Sequence, residues 1–189
     1  MRKVEQSFND FTRTGFARLL KLFEADTESI VKLTRAFALA NKLHKEQPNK
    51  NEPYINHPLR AVLILAEELQ IRDVEVLQAA LLRDAGKYEQ IKEEYSERTN
   101  ALVQAMSEAK TKEDKALEDF YSRISKESKD VRYIVLAERL DTARSMKNNT
   151  YRDKALRFKE EAEKYVMPLA RNTDERLAFK LSIAMYEIR

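Results

Sequence analysis

Leu59-Arg60-Ala61-Val62-Leu63-Ile64-Leu65-Ala66-Glu67-Glu68-Leu69, followed after a short break by Val74-Glu75-Val76-Leu77-Gln78-Ala79-Ala80-Leu81-Leu82, decides the fold. Both runs are apolar nearly all round. A helix without a polar face belongs at the centre of a protein, wrapped by others. Just upstream, Glu46 to His57 holds Pro48, Pro53 and several asparagines and reads as a loop. Pro58 then fits the first position of a helix, with His57 immediately before it.

Outward from this centre the spacing stays helical. Val4 to Ala25 carries Val4, Phe8, Phe11, Leu19, Leu20 and Phe23 near one face. Asp26 or Thr27 can cap the next helix, Glu28 to Lys45, with Ile30, Leu33, Phe37, Ala40 and Leu43 on its stripe. Tyr88 to Glu108 is amphipathic and charged, and Thr111-Lys112-Glu113-Asp114 marks a break. Lys115 to Ser125 reads as a short helix and Val131 to Met146 as a second central one. Tyr151 to Arg171 follows, with Pro168 expected to kink or end it, and Asp174 to Ile188 closes the chain. The expectation is an all-α protein of about eight or nine helices. It forms a single domain over 1–189, with 1–25 as an N-terminal helical extension.

Composition agrees. The 189 residues suffice for one domain with a substantial core, and 43% apolar with 35% charged residues suits helices with charged outer faces. Two glycines are too few for the turns of an all-β or doubly wound protein. The net charge of +3, from 35 basic and 32 acidic residues mixed along the chain, is too balanced for a nucleic-acid footprint. No cysteine is present, so disulfides, thiol catalysis and thiolate zinc sites are excluded. No stretch approaches the roughly 20 apolar residues of a membrane span, and no secretory h-region follows Met1-Arg2-Lys3. A cytoplasmic location without membrane or nucleic-acid partners is expected.

Chemistry concentrates at few places. Of the two histidines, His44 lies near a helix end and reads as a partly exposed polar residue. His57 lies at a loop-to-helix junction facing the apolar centre, where it is either a functional residue or a capping or core histidine. Arg83-Asp84 ends a buried helix, and an unpaired buried ion costs several kcal/mol, so both need partners. Glu138-Arg139 interrupts Val-Leu-Ala-Glu-Arg-Leu-Asp. A surface ion pair would account for it. Three charged interruptions in three apolar helices point instead to one shared polar site.

Glu52-Pro53-Tyr54-Ile55-Asn56-His57-Pro58-Leu59, then Val76 to Asp84, then Leu136-Ala137-Glu138-Arg139-Leu140-Asp141-Thr142-Ala143-Arg144-Ser145-Met146 resemble the signature segments of RelA/SpoT-type (p)ppGpp hydrolase domains. The resemblance is strongest to the single-domain small alarmone hydrolases, covers roughly residues 30 to 170, and implies an HD-domain helical bundle. It also implies one Mn²⁺-like ion held by a histidine before the proline, a His-Asp pair and an aspartate in Leu-Ala-Asp-Arg. Such an ion activates water and neutralises transition-state charge.

Against that pattern His57 and Asp84 match, whereas Arg83 stands in the place of the pair's histidine. A guanidinium offers no lone pair and cannot ligate a cation. Glu138 replaces the aspartate, and Thr142 replaces an asparagine that contacts substrate. After Asp84 the family carries a Glu-Asp pair that positions the water. Here Ala85-Gly86-Lys87-Tyr88 leads straight into a helix, about five residues short by that resemblance. Arg83 is read as a structural substitute for the ion, compensating Asp84 and Glu138 beside His57. Lys50, Tyr54, Arg83, Arg139 and Arg144 either form a basic, aromatic-lined cleft for a phosphorylated ligand or are solvated and structural charges.

The leading expectation is a catalytically impaired alarmone-hydrolase homologue without a cofactor, acting by binding a guanine nucleotide such as ppGpp or a protein partner. One rival is an active (p)ppGpp 3′-pyrophosphohydrolase or related phosphohydrolase, with Mn²⁺ on His57, Asp84 and Glu138. The other is an interaction module with a vestigial cleft and a partner surface on Phe8, Phe11 and Phe16.

Overall fold

Asn9 starts the first helix because its side-chain oxygen accepts the Thr12 N–H at 2.9 Å, which satisfies one of the free donors of α1 (Asp10–Lys21). The computed structural model describes residues 8–44, 52–85, 89–107, 113–147 and 152–188, with helices and turns but no strand among them. Contacts along the chain divide it into two units, one up to Val103 and one from Gln104.

In the first unit α1 lies on α3 (Asn56–Leu63). A Cβ on Gly15 would stand 3.2 Å from Leu59 Cδ2 and 3.4 Å from Leu63 Cδ1, so this glycine sets how closely the helices approach. Phe16 stacks on Phe37 of α2 (Thr27–His44) with ring centroids 4.1 Å apart, and Phe8 lies 5.7 Å from the same ring. The Arg60 guanidinium covers Phe11. Phe11 and Phe16 thus face their own unit, while Phe8 touches it and stays 37% exposed. Asp26 caps α2 as expected, accepting the Ser29 N–H at 3.1 Å, and the Ser29 hydroxyl and N–H hold its carboxyl below the ordinary value.

α2 packs along α4 (Val74–Leu82), whose cap is Asp73. The two apolar runs are the centre that the sequence indicates: Leu59, Val62, Leu65, Leu77, Leu81 and Leu82 are fully buried. Pro58 is not the first helical residue, since α3 starts two residues earlier at Asn56. It still lies in the first turn, where no intrahelical N–H is required. α3 runs on as a π-helical turn, Ile64–Glu68, closed by the Leu69 N–H on the Ile64 carbonyl at 3.0 Å. Gln70, at φ 59°, then turns the chain so that the Ile71 N–H reaches the Leu65 carbonyl at 2.9 Å.

The amphipathic stretch expected as one helix from Tyr88 to Glu108 is two, α5 (Glu89–Glu94) and α6 (Glu97–Ala105). Ser96 divides them, because its hydroxyl oxygen accepts the Thr99 N–H at 3.1 Å and caps the second. The Asn100 amide covers the Tyr95 and Ser96 carbonyls at 2.9 and 3.0 Å.

In the second unit α8 (Lys129–Met146) is central, between α7 (Asp114–Lys126) and α11 (Glu175–Tyr186). The Arg123 guanidinium donates to the Ala105 and Ser107 carbonyls. α9 (Arg152–Glu161) passes through a π-helical turn, Ala162–Val166, into α10 (Met167–Arg171). Pro168 therefore does not end the helix. It lacks the N–H that would return to Lys164, and its ring would meet that carbonyl; the wider turn just before it opens the space. Counting α9 through α10 as one stretch gives ten among the described residues, one or two more than expected. None of the described helices is long and apolar enough to cross a membrane.

Candidate functional site

The Glu52–His57 segment is held from beneath by α1. Asn56, fully buried, donates its amide to Glu52 Oε2 at 3.1 Å and to Asn9 Oδ1 at 3.2 Å. The Thr12 hydroxyl, also buried, donates to Asn56 Oδ1 at 2.6 Å and lies 2.7 Å from Asn9 Oδ1. Glu52 closes the set with a two-pronged pair to Arg60, both bonds at 2.8 Å. Arg60 is the largest influence holding the Glu52 carboxyl below its usual value; Asn56 and the charge of His57 act in the same direction.

Tyr54 projects from this segment to the end of α4. Its hydroxyl donates to Asp84 Oδ2 at 2.5 Å, a short bond of the kind that a charged acceptor gives. After Leu82 the helix tightens into a 3-10 turn, Arg83–Ala85, which carries the charged pair. Arg83 is 8% exposed, while Asp84 and His57 are half-buried.

A second polar cluster lies within the second unit. Glu138 is buried on α8, accepts the Thr142 hydroxyl at 3.1 Å, and lies 3.5 Å from Arg139 Nε. The same guanidinium reaches Glu161 Oε1 at 3.6 Å. Tyr121 donates its hydroxyl to that carboxylate at 2.6 Å, with its ring stacked on Tyr165. Burial pushes the Tyr121 phenol far above its ordinary value, opposed by the charge of Arg139. Glu138-Arg139 is therefore not a surface pair.

The sequence-derived candidates thus divide between the units. Tyr54, His57, Arg83 and Asp84 belong to the first; Glu138, Arg139, Thr142 and Arg144, the last exposed, belong to the second. Lys50 lies outside the described residues, as do Gly86 to Tyr88, and of the His44 side chain nothing is described. Sequence reasoning missed Asn9, Thr12, Asn56 and Arg60 in the first cluster, and Tyr121 and Glu161 in the second. The one available signal was the run of polar residues Asn9-Asp10 and Thr12 at the start of an apolar-faced helix.

The sequence pattern that defines the HD domain matches residues 36–174. The chain belongs to the HD domain family. The guanosine-3′,5′-bis(diphosphate) 3′-pyrophosphohydrolase of Aquifex aeolicus is 35% identical over 139 residues, 68% of this chain and 20% of that protein. The corresponding enzyme MESH1 of Danio rerio is 35% identical over 80 residues, 38% of this chain and 44% of that protein. The bifunctional (p)ppGpp synthase/hydrolase SpoT of Escherichia coli is 30% identical over 156 residues, 76% of this chain and 22% of that protein. This HD domain thus spans from a fifth to about half the length of the curated relatives it matches. A solved structure reported as a metazoan ortholog of SpoT that hydrolyses ppGpp aligns with a TM-score of 0.74 at 25% identity. It covers 82% of this chain and 94% of that one. The all-α HD fold and the kinship with (p)ppGpp pyrophosphohydrolases both stand as the sequence indicated.

Proposed function

We propose that this HD domain binds a guanine nucleotide such as ppGpp without hydrolysing it. The observation that carries the reading is Arg83: a guanidinium, 8% exposed, directly ahead of Asp84 where the resemblance calls for a metal-binding imidazole. A permanent cation there repels a second one, and its nitrogens have no lone pair to give. Asp84, the neighbouring ligand of the pattern, already accepts the Tyr54 hydroxyl. Among the described residues no three imidazole or carboxylate side chains are gathered as a divalent ion requires. With a guanidinium in place of that imidazole the donor set is a poor match for the Mn²⁺ that the resemblance implies. Glu138 carries one methylene more than the family's aspartate, and its carboxylate is engaged by Thr142 and Arg139. Support for a nucleotide ligand comes from the relatives, which act on (p)ppGpp by name.

The test measures ppGpp binding by calorimetry and pyrophosphate release with added Mn²⁺. It compares the wild type with the double variant Arg83→His, Glu138→Asp. The expected wild type binds ppGpp and releases no pyrophosphate. The double variant gains Mn²⁺ affinity yet stays inactive, since general acid–base assistance worth roughly 10²–10⁴-fold is still missing after Asp84. Mn²⁺-dependent turnover by the wild type overturns the proposal in favour of a working hydrolase. Absence of nucleotide binding overturns it in favour of a protein-interaction module.

A further inference from the structure

The last helix, α11, has two apolar faces where a surface helix needs one. Leu177, Leu181, Ala184 and Met185 are buried against its own unit. Phe179, Ile183 and Tyr186 lie on the opposite side and are 67%, 47% and 89% exposed. At about 100° per residue these three fall within about 60° of one another, a continuous ridge along the helix. Single exposed apolar residues are ordinary, but an aromatic row of this kind marks a contact surface.

We propose that this ridge pairs with the same ridge of a second copy of the chain, the two α11 helices running antiparallel. The flanking charges choose the occupant and the direction. Arg176 and Glu187 project from the same flank of the ridge at opposite ends, and their side chains are 61% and 40% exposed. When two identical helices meet face to face in antiparallel sense, like flanks meet. Arg176 of each copy then lies along Glu187 of the other, and the match is made twice by the two-fold axis. Arg176 now bonds Asp174 and Glu187 bonds Lys147, both at the surface, where a carboxylate or guanidinium can be shared. Such rim charges set register and direction more than strength. Phe179 and Tyr186 together offer roughly 300 Å² of exposed side chain, against about 800 Å² per partner in a standard interface. The dimer is accordingly a weak one.

The full chain is examined by sedimentation equilibrium from about 5 to about 500 µM, the regime of small interfaces. The wild-type mass should climb towards twice that of the monomer. The variant Phe179→Glu, Ile183→Glu should stay monomeric throughout with unchanged helicity and melting, because both side chains already face water. The absence of cysteine allows a direct check of direction. Ser182→Cys, next to the two-fold axis, should crosslink to its own copy on oxidation. Arg176→Cys, about 16 Å from its counterpart, should not. A wild type that is monomeric at every concentration overturns the proposal, as does association that survives the double variant. Equal crosslinking at both cysteines indicates a parallel pair and overturns it as well.

Discussion

In the cluster beneath the signature segment the buried polar groups, Asn56 and Thr12, are neutral, while the charges they serve stay nearer to water: Glu52 and Arg60 keep 28% of their side-chain surface and bond at 2.8 Å. In the second cluster the charges themselves are largely covered. Glu138, Arg139 and Glu161 keep 11%, 15% and 14%, with contacts of 3.5 and 3.6 Å. Amides and hydroxyls inside a protein need only hydrogen bonds, whereas ions must also recover a large desolvation cost. An ion pair near the surface avoids most of that cost. The first cluster is a way of fastening α1 to the signature segment. The second keeps charge in a place where an apolar side chain of similar volume often serves the fold as well or better.

The second cluster depends most on Arg139, which both carboxylates share. Replacing it by alanine takes the shared cation from buried Glu138 and half-buried Glu161 and should destabilise the protein by about 3–5 kcal/mol, read from urea unfolding. Neutralising the whole cluster with Glu138→Gln, Arg139→Met and Glu161→Gln should recover most of that loss. If Arg139→Ala changes stability by less than about 0.5 kcal/mol, the second cluster is solvated and the contrast disappears.

A smaller effect is expected in the first cluster. Thr12→Val keeps the shape but leaves the Asn56 oxygen, buried at 2.6 Å from the lost hydroxyl, without that donor. The loss should be about 1–3 kcal/mol, and Thr12→Ser should restore most of it. A neutral Thr12→Val would mean that the α1 contact does not fasten the segment.

Acid sharpens the distinction further, with the smallest signal. The folded-state pKa of Glu52 lies below its unfolded value of about 4.3, so the unfolded chain binds the proton more readily. The stability contributed by Glu52 is therefore complete above that pH and is lost as pH falls through the depressed folded value. Glu52→Gln should lower stability at neutral pH and flatten its decline in acid. The decline should persist in part, because Arg176 and Tyr133 hold the Asp174 carboxyl low in the second unit, and its protonation costs stability with the same sign. An unchanged acid slope in Glu52→Gln would show that the pair with Arg60 is screened away.

What the sequence disclosed follows the reach of each interaction. The two apolar runs, the Asp26 cap and the helix order depend on neighbours a few residues apart, and all could be read directly. Ser96 is a preferred cap residue ahead of Glu97, yet the amphipathic pattern continues across it and hides the break. The Asn9–Thr12–Asn56 contacts join residues 44 and 47 positions apart, and no local period announces them. Arg83, Asp84, Glu138 and Arg139 stood out as charges in apolar helices, and their burial or half-burial agrees with that. Their partners Tyr54 and Thr142 stood out only through the family resemblance, and Tyr121 and Glu161 not at all, since tyrosine and glutamate are unremarkable on a helix surface until packing covers them.

The two π-helical turns differ in what they permit the chain to lose. Ile64–Glu68 holds one residue more than ordinary winding needs, and no proline follows it to demand the extra width. Removing one residue there can let the turn relax to α-helix with both flanks still in phase, whereas a deletion elsewhere rotates everything downstream by about 100°. The turn at Ala162–Val166 has no such slack, because Pro168 occupies the space it opens. Length can therefore drift at α3, and it is locked between α9 and α10.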